Sequence, residues 1–130
     1  MSTVLVFVAD EIAATPLDDE GVAWVFLADK QSRSAGASHY LTMSRMLDDD
    51  DGYHIERDDQ GWGGYGGVAA VVLDADLLHV QLTDSGTRTL GGVREIRVSV
   101  GGHPSPLLRG LRTALEAIFA GTSLFVQAPE

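Results

Sequence analysis

The chain has 130 residues, enough for one domain, and its 45% hydrophobic and 22% charged residues are typical of a globular protein and not of a disordered one. Nineteen acidic and nine basic residues give a net charge of −10, which repels nucleic acid and anionic membranes and attracts basic partners. The sequence contains no cysteine, which excludes disulfides, zinc–thiolate sites and thiol catalysis.

The beginning of the chain, MSTVLVFVAD, has no basic segment, and its apolar run is too short for a signal peptide. No apolar stretch approaches the length of a membrane span. On charge alone, solubility is a sufficient explanation of the acidity. We therefore expect a soluble cytoplasmic protein with one domain over residues 1–130 and with neither nucleic acid nor membrane as a partner.

The first half of the chain contains short segments that are typical of strands, because they are rich in β-branched and aromatic residues or alternate with a period of two. They predict four strands: residues 4–8, 22–27, 39–47 and 53–57. In the last of these, Tyr53, Ile55 and Arg57 share one face. The short gap between the last two predicts a hairpin.

Three connections separate these strands. Residues 10–21 are polar and contain Pro16, residues 29–37 are rich in serine, glycine and alanine, and residues 48–52 are acidic and end in glycine. This composition predicts a loop for each of the first two and a turn for the third.

The second half continues the strand pattern. Residues 68–73 and 77–83 flank a short acidic gap, which predicts another hairpin, and residues 93–100 alternate with Ile96, Val98 and Val100 on the inward face. Residues 84–92 are predicted to form a loop or one short helical turn. Residues 124–127 are predicted to form a final strand or a tail.

One segment has the helical period instead. Ser105 is predicted as the N-cap and Pro106 as the first helical residue, ahead of a single apolar stripe, and Gly121 is placed to end the helix at the C′ position. The stripe comprises Leu107, Leu108, Leu111, Leu115, Ile118 and Phe119. The predicted fold class is α+β, with a mostly antiparallel sheet of about six to seven strands covered on one face by this C-terminal amphipathic helix.

The sequence GWGGYGG, residues 61–67, begins with the glycine spacing of a dinucleotide-binding loop. That loop requires a helix directly after the glycines, whereas VAAVVL is a predicted strand without an N-cap, so we interpret the match as accidental. A P-loop is excluded because no Lys-Ser/Thr pair follows. Trp62 and Tyr65 either fold back onto the edge of the sheet or form an exposed aromatic loop, and the residues alone do not decide between the two.

No other pattern predicts catalysis or a metal site. The acidic run before Gly52 fails the EF-hand spacing because Leu47 occupies the first ligand position, and His54-x-Glu56 lacks the cysteine pair of a zinc deaminase. The four histidines stand singly, and no Gly-x-Ser-x-Gly motif is present. We expect no catalytic residue, no cofactor and no metal.

Three acidic residues and one glutamine lie just before the glycines: Glu56, Asp58, Asp59 and Gln60. Like charges this close repel one another unless they are solvated or paired with a cation. The cluster is therefore either a solvated strand end or a docking edge for lysine and arginine side chains of a partner.

The segment YHIERDDQGWGGYGGV, residues 53–68, resembles the central motif of the tenth immunity-protein family of bacterial polymorphic toxin systems. The flanking strands and the C-terminal helix extend the resemblance over residues 37–126, and the first 36 residues add little. Trp62 departs from the pattern, since a small polar residue is expected there. The matching residues of the motif are Glu56, Asp58, Asp59, Gln60, Gly64, Tyr65, Gly66 and Gly67.

The resemblance implies a small α+β protein that is encoded beside a toxin and neutralises it by tight binding, without catalysis or cofactor. The partner it implies is the C-terminal domain of the cognate toxin, which we expect to be basic because this chain is acidic. The predicted contact residues are Asp48, Asp49, Asp50, Asp51, Asp58, Asp59, Trp62 and Tyr65.

Two alternatives remain open from the residues. One is a small-ligand or carbohydrate-binding module that uses Trp62 and Tyr65 as a stacking platform. The other is an enzyme that uses a pair of carboxylates near Asp58 and Asp59, which would need a concave pocket. The sequence names neither the toxin nor the oligomeric state.

Overall fold

The computed structural model describes residues 3–29, 39–46, 52–58 and 61–127. Within these ranges the chain forms ten strands and two helices. In chain order they are β1 (Thr3–Val8), β2 (Glu11–Thr15), β3 (Val22–Ala28), β4 (Tyr40–Met46), β5 (Tyr53–Arg57), β6 (Gly63–Tyr65), β7 (Val68–Asp74), β8 (Leu77–Leu82), α1 (Asp84–Thr89), β9 (Val93–Ser99), α2 (Ser105–Ile118) and β10 (Phe125–Gln127).

The strands form two five-stranded sheets. Sheet I has the order β1-β9-β8-β7-β10, in which β1 pairs parallel with β9 and β10 pairs parallel with β7. Sheet II has the order β2-β3-β4-β5-β6 and is antiparallel throughout. The predicted α+β class is confirmed, although the strands divide between two sheets and do not form one sheet of six or seven.

Most of the predicted elements are confirmed. Both predicted hairpins are present as β4–β5 and β7–β8, residues 84–92 contain the short helix α1, and the C-terminal segment is the strand β10. Residues 30–38 and 47–51 lie outside the described residues, so almost all of the predicted connection at 29–37 and of the predicted turn at 48–52 lies there as well.

The prediction of a loop over residues 10–21 is wrong, because β2 occupies its first half. β2 is an edge strand that pairs antiparallel with β3, and it buries Ile12 at 8% exposure. Its remaining residues are small or polar, so its strand conformation depends on the neighbour with which it pairs. Pro16 follows the strand directly, and Asp18 Oδ1 then accepts hydrogen bonds from the backbone N–H groups of Glu20 and Val22, both at 2.9 Å, which turns the chain into β3.

The helix α2 covers sheet II, where it contacts β2, β3 and β4. Its ends differ slightly from the prediction: Pro104 is the N-cap, so Ser105 is already helical, and the C-cap is Phe119, so Gly121 lies two residues beyond it. Arg45 Nη1 of β4 donates to the carbonyl of Ala120 at 2.8 Å. This contact ties the end of the helix to the sheet.

The inward faces of both sheets and the apolar stripe of α2 contribute to one buried cluster. In sheet II, Val25, Met43 and Ile55 lie side by side on adjacent strands, and each is at most 1% exposed. Tyr53 packs on Phe119 at the end of α2, with 4.9 Å between ring centroids. As predicted, Tyr53, Ile55 and Arg57 share the inward face of β5.

Candidate functional site

The glycine stretch is the place where the chain passes from sheet II to sheet I. β6 pairs antiparallel with β5, and the backbone N–H of Arg57 donates to the carbonyl of Trp62 at 3.1 Å, which closes the turn between them. Gly66 and Gly67 follow with φ of 74° and 89°, a conformation that favours glycine, and β7 of sheet I begins at the next residue. A strand and not a helix follows the glycines, which confirms that the dinucleotide-like spacing is accidental.

The same stretch comes very close to α1. A Cβ atom on Gly67 would lie 2.7 Å from Gly86 Cα, and one on Gly86 would lie 2.1 Å from the carbonyl oxygen of Gly67. That carbonyl also accepts a hydrogen bond from the backbone N–H of Thr83 at 2.9 Å, while Thr83 Oγ1 caps α1 by accepting from Gly86 N at 3.0 Å. The glycines therefore join the motif to α1 by close backbone packing.

Arg57, at the end of β5, is a buried cation with 7% exposure. Its Nε donates to the carbonyl of Leu90 at 2.9 Å, and its Nη1 donates to the Asp58 carboxylate at 2.9 Å. The guanidinium also lies over the Trp62 ring, 4.1 Å from the ring centroid. These contacts match the buried charge with a carboxylate and an aromatic face, as a buried cation requires.

Asp58 uses its carboxylate inside the protein. Its Oδ1 accepts from the backbone N–H of Tyr40 at 2.8 Å, and its Oδ2 lies 2.9 Å from Arg57 Nη1 and 3.0 Å from His39 Nδ1. The side chain is only 10% exposed, and the residue has a φ of 62°, which aspartate tolerates better than most residues. This carboxylate holds the beginning of β4 beside the end of β5.

The two aromatic residues of the motif point in different directions. Trp62 is 41% exposed, and its ring packs against Arg57 and close to the backbone of Gly91. Tyr65 is 64% exposed and makes an edge-to-face contact with His54, with ring centroids 5.1 Å apart, on the other side of sheet II. The two rings therefore do not form a joint stacking platform.

The structure thus brings Asp58 and Trp62 together around Arg57 and places Tyr65 apart from them. Asp48, Asp49, Asp50, Asp51 and Asp59 lie outside the described residues. The role of all eight in binding a partner stays a prediction. The buried Arg57 was not singled out in the sequence, although an arginine at an inward position of an alternating strand signals a buried cation.

Sequence reasoning also missed an aromatic surface on the outward side of sheet II. Trp24, Phe26 and Tyr40 occupy outward positions of β3 and β4, where a half-exposed sheet ordinarily carries polar residues. Phe26 and Tyr40 stack with their centroids 6.0 Å apart. We define the aromatic face as the outward residues Trp24, Phe26, Tyr40, Met46, His54 and Tyr65.

Among the described residues, no group of three or more histidine, aspartate or glutamate side chains could hold a metal ion. In the same part of the chain, neither helix has the length and apolar character needed to cross a bilayer.

Comparison with models of protein families matches residues 8–105 to the family described as Immunity protein 10. The match begins earlier than the resemblance seen in the sequence, since it includes β2 and β3, and it ends where α2 begins. Comparison with curated proteins and with solved structures finds no match. The matched segment is about three quarters of the chain and contains the whole glycine motif, so the protein belongs to the immunity protein 10 family.

Proposed function

We propose that this chain is the immunity protein of a bacterial polymorphic toxin system, and that it binds a cognate toxin and blocks the toxin's active domain. The observation that carries the proposal is the family match over residues 8–105. The proposed action is binding alone, in the cytoplasm of the cell that makes the toxin, with no catalysis and no cofactor.

The charge of the chain supports the proposal. A net charge of −10 on 130 residues creates a field that draws a basic partner and raises the rate of association. An immunity protein benefits from fast association, because toxin that is still unbound can reach its target. The field predicts a basic surface on the toxin domain.

The stacking-platform alternative gains no support from the geometry of the motif. A platform for a sugar ring or another flat ligand needs exposed aromatic faces that lie together. One face of the Trp62 ring is covered by the Arg57 guanidinium, and Tyr65 points to the other side of the sheet. The alternative of a carboxylate-based enzyme is not supported at Asp58 either, because its carboxylate is hydrogen-bonded to His39, Tyr40 and Arg57.

A pull-down with the tagged chain from its native cell, read by mass spectrometry, tests the proposal. We expect recovery of one large secreted-type protein, bound through its C-terminal domain at a ratio of about one to one. That domain should then arrest growth when it is expressed alone in a bacterial host, and co-expression of this chain should restore growth. Two outcomes would contradict the proposal. One is that no protein is captured from cells that express the genes flanking the gene of this chain. The other is that a domain is captured but the chain does not reduce its toxicity.

A further inference from the structure

The aromatic face offers large side chains to solvent on a regular backbone. The strand register places Trp24, His54 and Tyr65 in one row across sheet II, with Phe26 and Glu56 in the next row. Tyr65 is 64% and Met46 is 48% exposed, and the other members of the face are half-buried. Aromatic residues and methionine are the types that are enriched at the centre of protein interfaces.

The charge on this side of sheet II has one sign in the part of the chain that the structure describes. Glu56 stands in the middle of the face, where it accepts a hydrogen bond from Tyr40 Oη at 2.6 Å. The turn from β2 to β3 adds Asp18, Asp19 and Glu20 at the end of the sheet next to Trp24. The described arginines all lie elsewhere: Arg45 and Arg57 on the inward side of sheet II, Arg88 on α1, Arg94 and Arg97 on sheet I, and Arg109 and Arg112 on α2.

The outward side of sheet I differs from this pattern. There Glu95 is paired with Arg97 and with His79, each at 3.2 Å, so acidic and basic groups already neutralise one another. Its exposed apolar residues are all aliphatic: Val4, Val6 and Val8 of β1, Leu77 of β8 and Val126 of β10, of which Val6 is 61% exposed. Acidic groups thus lie beside partly exposed aromatic side chains on sheet II, whereas the outward side of sheet I combines paired charges with exposed aliphatic side chains.

A shallow pocket of about 190 Å³ opens on the aromatic face, lined by Val22, Ser44, Met46, Gly52, His54 and Tyr65. Such a depression can accept one long side chain of a partner, whereas the flat surface of a partner would leave it unfilled. Arginine suits it best among basic side chains, because its planar guanidinium stacks on aromatic rings, and His54 and Tyr65 line the pocket. Arginine is also among the residues that most often dominate binding energy at interfaces.

We propose that the aromatic face is the surface that contacts the toxin, and that the toxin presents a basic segment to it with an arginine side chain in the pocket beside Tyr65. This inference rests on the proposed function and adds to it the face and the chemistry of the partner. It also separates the roles within the glycine motif, since Arg57, Asp58 and Trp62 hold the loop in place and Tyr65 makes the contact.

Two matched double variants test the inference. Tyr65→Ala with Glu56→Gln removes an exposed ring and one charge from the aromatic face, and the glutamine keeps an acceptor for Tyr40 Oη. Val6→Ala with Glu95→Gln removes an exposed apolar side chain and one charge from the outward side of sheet I. Both variants have the same net charge, so the long-range attraction of a basic partner is equal in the two.

The affinity of each variant is measured by calorimetry against the purified C-terminal domain of the protein that the tagged chain captures, after urea unfolding has shown that both remain folded. We expect the Kd of the first variant to rise about tenfold or more, and that of the second to change less than about twofold. Equal affinity of the first variant and the wild type would overturn the docking face and leave the proposed function standing. Failure of the wild-type chain to bind or neutralise that domain would overturn the proposed function, and the docking face with it.

Discussion

Arg57 is the residue on which the contacts of the glycine motif converge. It is buried, it donates to Leu90 and Asp58, and it stacks on Trp62, so it links sheet II to the segment that follows α1. A buried ion pair contributes little net stability compared with an apolar pair, but removal of one partner leaves the other uncompensated. Removal of a single member of the network is therefore expected to lower the free energy of unfolding.

Replacement of Arg57 by alanine should lower the free energy of unfolding by about 3 kcal/mol, because the Asp58 carboxylate and the Leu90 carbonyl lose a buried donor. Arg57→Lys should recover only part of this loss, since lysine cannot reproduce the two directed N–H donors of the guanidinium. Urea unfolding followed by circular dichroism measures both variants.

The matched control is Arg94→Ala. Arg94 also pairs with an aspartate, Asp84, at 2.8 Å, but their side chains are 44% and 78% exposed. An exposed pair is worth less than about 1 kcal/mol, so this variant should unfold close to wild type. If Arg57→Ala cost no more than Arg94→Ala, the buried network would have no stabilising role.

The environment of Tyr53 predicts how the stability of the protein changes at alkaline pH. Burial raises the pKa of its hydroxyl above the ordinary value of 10.0, and the hydrogen bond from Val68 N, at 3.0 Å, opposes the rise. The native state therefore holds this proton to higher pH than the unfolded chain does. The stabilisation is complete below the unfolded pKa, near pH 10, and is lost as pH rises through the higher native pKa.

Tyr53→Phe should flatten the decline of stability above about pH 10, although loss of the Val68 hydrogen bond should lower stability by about 1 kcal/mol at neutral pH. Urea unfolding at a series of pH values measures both effects. Tyr65→Phe is the comparison, because it removes the hydroxyl of an exposed tyrosine. An alkaline decline that is as steep in Tyr53→Phe as in Tyr65→Phe would show that Tyr53 is not its source.

At the scale of the elements, the sequence predicted those segments whose own residues carry the pattern. The alternation of residues 93–100 was sufficient to predict β9, and the apolar stripe was sufficient to predict α2. In both, the buried side chains themselves form the pattern. β2 was missed because alanines and one isoleucine give a weak pattern, and its pairing with β3 fixes it. The division into two sheets was missed because it depends on the crossing at Gly66 and Gly67, which periodicity does not record.

Addition of a single methyl group to α1 tests the close contact between the glycine motif and α1. Gly86→Ala should lower the free energy of unfolding by about 2 kcal/mol or more, because its Cβ would lie 2.1 Å from the carbonyl oxygen of Gly67 and the backbones would have to separate. Thermal unfolding should show the loss as a lower Tm.

The control is the same substitution in the other helix. Gly110 lies inside α2, where an added Cβ would meet no atom within 4 Å other than the backbone of its own helix and its chain neighbours, so Gly110→Ala should stabilise the protein by about 1 kcal/mol through helix propensity. The two substitutions are chemically identical and are expected to have opposite signs. A Gly86→Ala protein as stable as wild type would contradict the close packing of α1 on the motif.

At the scale of the whole molecule, the motif in the sequence led to the family, whereas the surface offered to a partner could not be predicted. Asp58 and Trp62 stood out as acidic and aromatic, yet the fold turns both toward Arg57. Trp24 and Phe26 belong to an apolar run that predicts a strand, but the sequence does not say which side of β3 faces the core. The exposed surface follows from packing, which only the folded chain defines.

The net charge of −10 predicts how the chain meets a toxin, provided that the proposed function holds. The association rate constant with the toxin domain should fall about tenfold or more between low salt and about 0.5 M salt, while the dissociation rate constant changes little, because salt screens the field that steers the encounter. Surface plasmon resonance at a series of salt concentrations measures both constants.

A charge change away from the aromatic face separates steering from contact. Asp74 and Asp76 are exposed around the β7–β8 turn of sheet I, and replacing both with lysine adds two charges at each position, which brings the net charge from −10 to −6. Association at low salt should slow and dissociation should stay the same, and the asparagine pair, with a net charge of −8, should lie between. A change in the dissociation rate would instead place Asp74 or Asp76 inside the interface, and that result would move the contact surface to sheet I.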